Sequence, residues 1–486
     1  MPPAGHERRR KLPARVVVPS RSDTWLRRFT ELIGGPLGRR TGPGIVDPGF
    51  FTIERVLVIM TTIAAVVAIL AKTPCRAAGW TAPEMYYRAC YSDWPVLFHS
   101  RDMGEGFFPY FSGGFEYPVL LGMIAGITAW LVPETGEAAG ALIYFDINAL
   151  LIVGAWIVTV LATSRMSARR PWDAAMVAVA PGIILAGTIN WDLWAVMLAS
   201  LAMLAFARNQ VLLAGVLIGL GTATKLYPVL LLGAILVLAV RTGKYRPFLA
   251  TLGAAAGAWL AVNLPVALIN FEAWTYFFTF SNDRAAGYSS GWFAYNLLAK
   301  QVGLPTMDAG AVNAAALGLF ALACIAIAVA GLAAPRRPRM AQLVFLIVAA
   351  FILTNKVYSP QFVVWLIPLV ALAYPRWRDF LLWQFVEVLH WWATWLYLAK
   401  TTGGGDSQQN IDEAYYVMAV VAHMAALLYI MARVLHHMWY PEEDPVRTRG
   451  VDDPQGGPFA DAGDRFVWKD RPHPPVRLAE PPETRK

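Results

Sequence analysis

Runs of apolar residues that approach the ~20 needed to cross a hydrocarbon layer as a helix recur along the chain. They lie near 52–72, 141–163, 174–189, 192–207, 211–223, 226–240, 247–269, 311–333, 341–354, 360–374, 379–398 and 414–435. A large soluble core would need amphipathic helices with polar faces, and these segments show none. An outer-membrane barrel would need alternating strands of about ten residues, also absent from the pattern. The chain therefore reads as an all-α polytopic membrane protein. One apolar run differs from the rest: 117–132 (YPVLLGMIAGITAWLV) opens on Tyr-Pro and is closed by Pro133 and Glu134. It predicts a re-entrant or interfacial helix that does not cross.

Composition agrees, since 57% of 486 residues are hydrophobic and only 15% charged, against roughly 25% charged in soluble domains. The basic residues fix an orientation, because short cytoplasmic loops are enriched in Lys and Arg. The first fifty residues hold Arg8, Arg9, Arg10, Lys11, Arg15, Arg21, Arg27, Arg28, Arg39 and Arg40 against four acids. Further along come Arg165, Arg169 and Arg170; Arg208; Arg241, Lys244 and Arg246; Arg336, Arg337 and Arg339; Arg376 and Arg378; and Arg433. All of them face inward with about twelve crossings and both termini cytoplasmic, provided that 117–132 does not span.

Three regions follow: a disordered basic tail over 1–48, a membrane domain over 49–437 with a long external loop at 73–140, and a second disordered tail over 438–486. The first stretch lacks an apolar core of the secretory type and is not read as a cleavable signal. The last is rich in Pro, Asp, Glu and Arg and poor in large apolar residues, a composition that does not support a packed core. The net charge of +8 belongs to these tails and the inner loops. No basic face alternates with aromatics, so nucleic acid is not an expected partner.

Three cysteines are too few for a disulfide framework or a zinc cluster. Cys75 and Cys90 share the external loop, where either a disulfide or two thiols would fit; Cys324 reads as packing. Walker, GxGxxG, HExxH and GxSxG motifs are absent. His99 and His423 form no ligand cluster, and no protein-bound zinc or other cofactor is expected, although the outer carboxylates are compatible with a divalent ion bridging a phosphate.

The polar residues near the apolar runs gather on one side. The external loop carries Cys90-Tyr91-Ser92-Asp93-Trp94-Pro95 and Phe115-Glu116-Tyr117-Pro118. Asn190-Trp191-Asp192, Thr224-Lys225-Leu226-Tyr227-Pro228 and Asn355-Lys356-Val357-Tyr358-Ser359-Pro360-Gln361 lie at outer hinges, and the loop 270–310 adds Asn282, Asp283, Arg284 and Tyr288. Ionisable residues at membrane depth are expensive and mark functional sites by default. Lys225 and Lys356, beside tyrosines and prolines, suit a phosphate at the interface; the alternative is lysines that snorkel to anchor helix ends.

The order Tyr-Ser-Asp, Glu-Tyr-Pro-Val-Leu, Arg-Arg-Pro-Trp-Asp, Asn-Trp-Asp-Leu, Ala-Thr-Lys-Leu-Tyr-Pro and Asn-Lys-Val-Tyr-Ser-Pro-Gln, spread over about residues 52–435, resembles glycosyltransferase family 87. That family belongs to the C-type superfamily of membrane glycosyltransferases. The resemblance implies a first external loop with membrane-parallel helices and a catalytic acid. It implies transfer of mannose or arabinofuranose from a polyprenyl-phosphate-sugar donor to an envelope glycolipid or polysaccharide acceptor, on the outer face of the plasma membrane.

On that basis Asp93 is the expected general base, with Glu116 its strongest competitor and Asp102 and Glu105 behind it. A helix cap is the other role open to Asp93, since Ser-Asp before Trp-Pro is a good helix start. Tyr91 and Trp94 are placed to shelter the base or stack on sugar rings. Lys225, Lys356 and Arg284 are candidates for the donor phosphate, and Asn190, Asp192, Tyr358 and Gln361 for sugar hydroxyls; Asp192 suits a helix cap equally. Trp383, Trp391, Trp392 and Trp395 share one helix with Glu387 and His390 and read as a lipid-groove wall or as packing. A secondary transporter or flippase is the rival class, but no internal repeat is visible and the inner half is apolar, unlike an alternating-access site. An envelope scaffold is the third.

Overall fold

The computed structural model describes residues 16–35, 49–403, 409–447, 451–460 and 462–467. Among them the chain is helical throughout, without a strand. Five helices are long and apolar enough to cross a membrane: Ile53–Leu70, Glu137–Met166, Tyr245–Ile269, Ala309–Ala333 and Glu413–Trp439. Several of these leave apolar side chains uncovered, such as Leu264 and Leu268 on one and Leu317 and Leu322 on another. That pattern fits lipid contact and would be costly in water. The shorter helices Asp192–Ala207, Met340–Thr354 and Val363–Ala373 are almost wholly buried and form the centre of the core.

Val119–Trp130 has twelve residues. It reaches about 18 Å at ~1.5 Å per residue, well short of a ~30 Å hydrocarbon layer. The apolar run 174–189 is not one helix but a short turn at Pro171–Ala174 followed by Ala175–Ala178 and Pro181–Ala186. Pro181 explains the break: it has no amide hydrogen to donate and drives the preceding Ala180 into an extended conformation (ψ 123°). Val211–Thr224 and Tyr245–Ile269 pack backbone to backbone. A Cβ on Gly215 would meet the Thr251 carbonyl at 2.4 Å, and one on Gly219 the Ala255 carbonyl at 2.3 Å.

Both chain ends depart from the expected tails. Thr24–Gly34 is an amphipathic helix whose first turn is capped by the Asp23 carboxylate, and the Val17 amide bonds to the Arg169 carbonyl at 2.8 Å. At the other end residues 441–447, 451–460 and 462–467 are packed. Asp444 pairs with Arg339 at 2.7 Å with both side chains fully buried, Asp452 with Arg336 and Arg337, and Asp464 with Arg241. Gln455 bonds the Met166 carbonyl. Composition suggested a solvated tail because it counts charges as solvating; here they are neutralised by Arg241, Arg336, Arg337 and Arg339. The remaining parts of both tails lie outside the described residues.

Candidate functional site

Residues 73–100 fold into short helices tied by a Cys75–Cys90 disulfide. The helix Asp93–Ser100 docks on the turn before Asp192–Ala207: Ser92 Oγ donates to the Thr188 carbonyl at 2.9 Å and the Asp93 amide to the Ile189 carbonyl at 2.7 Å. That turn follows the short helix Pro181–Ala186, which Pro181 opens.

The docking brings Asp93 against Asn190. Asp93 does not cap its helix; its carboxylate accepts the Tyr91 hydroxyl on one oxygen and the Asn190 side-chain amide on the other, both at 2.5 Å. The same Asn190 nitrogen donates to the Tyr117 hydroxyl at 2.7 Å. Lys225 lies over the Tyr117 ring at 4.6 Å and faces Asp192 at 3.6 Å, and Asp192 accepts the Trp365 indole at 2.7 Å. Trp365 in turn stacks on Tyr227 at 4.4 Å. Asn190 and Asp192 are buried, whereas Asp93, Tyr91, Tyr117 and Lys225 keep an opening to the outside. Burial pushes the Asp93 carboxyl above its ordinary range, opposed by the hydrogen bonds from Tyr91 and Asn190 and by the Lys225 charge.

Lys72 completes this cluster and was missed in the sequence, where it sits at the end of the first apolar run. Its ammonium is buried and donates to the Tyr91 carbonyl at 2.7 Å. Burial pushes it down to about 7, against the pull of the Asp93 charge. A lone lysine closing the first apolar run, next to the loop that holds the acid, was the available signal.

A cavity of about 440 Å³ opens beside Tyr117, walled by Tyr110, Ile218, Leu226, Leu252, Trp259 and Phe277 among others. It is almost entirely apolar, and Tyr117 in its wall also touches Asn190 and Lys225.

Other expected site residues lie elsewhere. Glu116 pairs with Arg101 at 2.8 Å, and Asp102 and Glu105 are exposed. Trp94 is fully buried between Phe145 and Trp191, which removes it as a surface for a sugar. Lys356 donates to the Asn282 and Arg284 carbonyls at 2.9 and 3.0 Å and so fastens the 270–310 loop; Arg284 is exposed and lies near the Phe280 ring. Tyr358 packs on His423, and Gln361 is buried. The phosphate and hydroxyl candidates thus divide into two groups, of which only Lys225, Asn190, Asp192 and Tyr91 gather around Asp93.

Residues 115–354 match the family model described as glycosyltransferase family 87. The match takes in Glu116, Asn190, Asp192 and Lys225; Asp93 lies upstream of it, and the Asn355–Gln361 motif starts one residue beyond. No curated protein matches the chain.

Proposed function

We propose that this chain, whose residues 115–354 match glycosyltransferase family 87, a family of membrane glycosyltransferases, transfers a sugar from a polyprenyl-phosphate donor to a cell-envelope glycolipid or polysaccharide. Mannose is the favoured sugar and arabinofuranose the alternative. The observation that carries the proposal is the half-buried Asp93 carboxylate gathered with Lys225 around Asn190 and Tyr117, of which Tyr117 also lines an apolar cavity. The prenyl tail lies in that cavity and the donor phosphate near Lys225, whose contact with Asp192 is long enough for a phosphate to compete. The acceptor hydroxyl attacks the anomeric carbon as Asp93 takes its proton. The bond to the phosphate breaks on the opposite face, and the departing anion is met by the Lys225 ammonium. The anomeric configuration inverts.

The reaction is assigned to the outer face of the plasma membrane, with about twelve crossings and both termini cytoplasmic. Three observations support this. The Cys75–Cys90 disulfide suits an oxidising compartment. The loop 73–140 meets the loop 270–310, where Tyr276 packs on Gly114. The arginine-rich loops and both packed chain ends meet one another through Arg169, Arg241 and Arg339.

Purified protein in lipid vesicles without an ion gradient, given radiolabelled polyprenyl-phospho-mannose or polyprenyl-phospho-arabinofuranose and envelope lipids, is expected to form a labelled glycolipid or glycan. Movement of donor across the bilayer without transfer of sugar would return the transporter reading.

Two variants refine the test. Lys225→Ala removes a charge-assisted phosphate contact worth about 1.5–3 kcal/mol, so donor affinity should fall roughly 10- to 100-fold together with turnover. Tyr91→Phe removes a hydrogen bond that favours the ionised Asp93. The Asp93 pKa then rises, and the acid limb of the kcat/KM profile should move to higher pH; an unchanged or lowered limb would exclude Asp93 as the group titrating there.

A further inference from the structure

Glu387 and His390 are three residues apart on Trp377–Thr402 and so share a face. His423, on Glu413–Trp439, stacks its ring on His390 at 3.6 Å. The Nδ1 atoms of both histidines turn toward Glu387 Oε2, at 3.6 Å from His423 and 4.0 Å from His390, and neither Nδ1 has a hydrogen-bond partner. All three side chains are buried.

The outer partners of the rings fix where the protons are. His423 Nε2 lies 3.2 Å from the Ser289 carbonyl, an acceptor only, so Nε2 carries the hydrogen. His390 Nε2 lies 3.3 Å from Thr394 Oγ1, whose own hydrogen goes to the His390 carbonyl, so this nitrogen is a donor as well. In the neutral rings both Nδ1 atoms are then acceptors beside a carboxylate. The ring planes lie within 5° of parallel, so the His390 ring, held at Nε2 only by the 3.3 Å Thr394 contact, turns about its Cβ–Cγ bond when an ion binds. Three acceptors facing one another in a buried space repel unless a cation lies between them.

From this convergence we propose that Glu387, His390 and His423 bind a divalent transition metal, zinc by preference. Two ligand atoms each ~2.0–2.2 Å from a shared zinc at a tetrahedral angle stand about 3.3–3.6 Å apart, close to the separations seen, and the three ligand atoms lie within 4.8 Å of one another. Imidazole and carboxylate are the donor types zinc accepts. The surroundings match those of metal ligands: a His423 Nε2–H donor held by the Ser289 carbonyl, and a Glu387 Oε1 that accepts the Trp383 indole at 3.0 Å. Tyr358, on the other face of His423, has a buried hydroxyl without a partner. The metal ties the last two long helices together. It lies on the helix whose Trp395 stacks on Tyr91 at 5.0 Å, next to Asp93, so it positions the wall of the site without entering the transfer step. The absence of protein-bound zinc expected from the sequence rested on the three cysteines and on His99 and His423 forming no cluster; His390, beside His423 in space, was not weighed as its partner.

Full-length protein extracted without chelators is expected to carry about one zinc per chain by mass spectrometry. After replacement by cobalt(II) it should show visible bands of tetrahedral intensity, and X-ray absorption should report two imidazole nitrogens. His423→Ala and Glu387→Gln should lower metal content at least tenfold; if either fails to fold, the spectra of the intact protein decide. The proposal is overturned by intact protein that holds no metal and takes up none from micromolar zinc(II) or cobalt(II). A metal shell without imidazole, or metal retained unchanged in both variants, overturns it as well.

Discussion

Asp93→Asn is expected to lower turnover by about 10²–10⁴-fold, the usual contribution of a general base, while donor binding changes little. The substitution keeps size and polarity and removes only the capacity to take a proton at neutral pH. It also disturbs a hydrogen-bond pair, since Tyr91 and Asn190 both donate to the carboxylate and an amide accepts on one end alone. A modest loss of stability, about 1–3 kcal/mol for one unsatisfied buried donor, should therefore accompany the loss of rate, and thermal melting separates the two. Glu116→Gln is the control: its carboxylate already serves Arg101, so a smaller effect is expected. Near-normal turnover in Asp93→Asn with a dead Glu116→Gln would move the base within the same loop. Asp192→Asn should act through Lys225, weakening donor affinity in the manner of Lys225→Ala, because Asp192 touches that lysine and not the Asp93 carboxylate.

What the sequence revealed follows the physics of each feature. Long apolar runs identify helices because a lipid-facing backbone has no other way to satisfy its hydrogen bonds, and every predicted run has helical residues in the structure. The shortness of Val119–Trp130 was visible in its flanking prolines. The break at Pro181 was visible too, yet the run around it was read as continuous, so the short helix before the turn that holds Asn190 was missed. Among candidate residues, Asp93, Asn190, Asp192 and Lys225, which the structure brings together, were singled out because charge and amide groups at the ends of apolar runs have few structural uses. Trp94 was misplaced because an aromatic ring beside an acid looks alike in a core and in a sugar site. Lys356 failed for a related reason: a lysine at a hinge satisfies loop carbonyls as readily as a phosphate. The packing of His390 on His423 and of Asp444 on Arg339 was illegible, since each joins residues far apart in the chain through helices whose relative rotation no local pattern specifies.

The second large effect concerns the C-terminal segment. Arg339 and Asp444 are both without solvent exposure, and the Arg339 guanidinium also donates to the Leu372 and Ala373 carbonyls at 2.8 and 2.7 Å, at the end of Val363–Ala373 where the helix dipole favours a cation. Asp444→Ala leaves that guanidinium buried without its counter-ion, and removing one partner of a buried pair costs about 3–5 kcal/mol. The melting midpoint of the purified protein should fall by several degrees, with Asp444→Asn between wild type and alanine. The pH dependence has a definite sign. Burial opposes ionisation of Asp444, but the Arg339 charge and hydrogen bonds outweigh it and hold the carboxyl below its ordinary range. A depressed folded-state pKa contributes stability that is present above the unfolded value of about 4 and is lost as pH falls through it and below. The advantage of wild type over Asp444→Asn should thus be full at neutral pH and shrink below about pH 4. Equal melting of Asp444→Ala and wild type at neutral pH would show that the segment does not brace the helices. Because Asp444 contacts the Arg339 side of the bundle and none of the residues around Asp93, transfer rate per folded molecule should stay near wild type, separating the brace from the reaction.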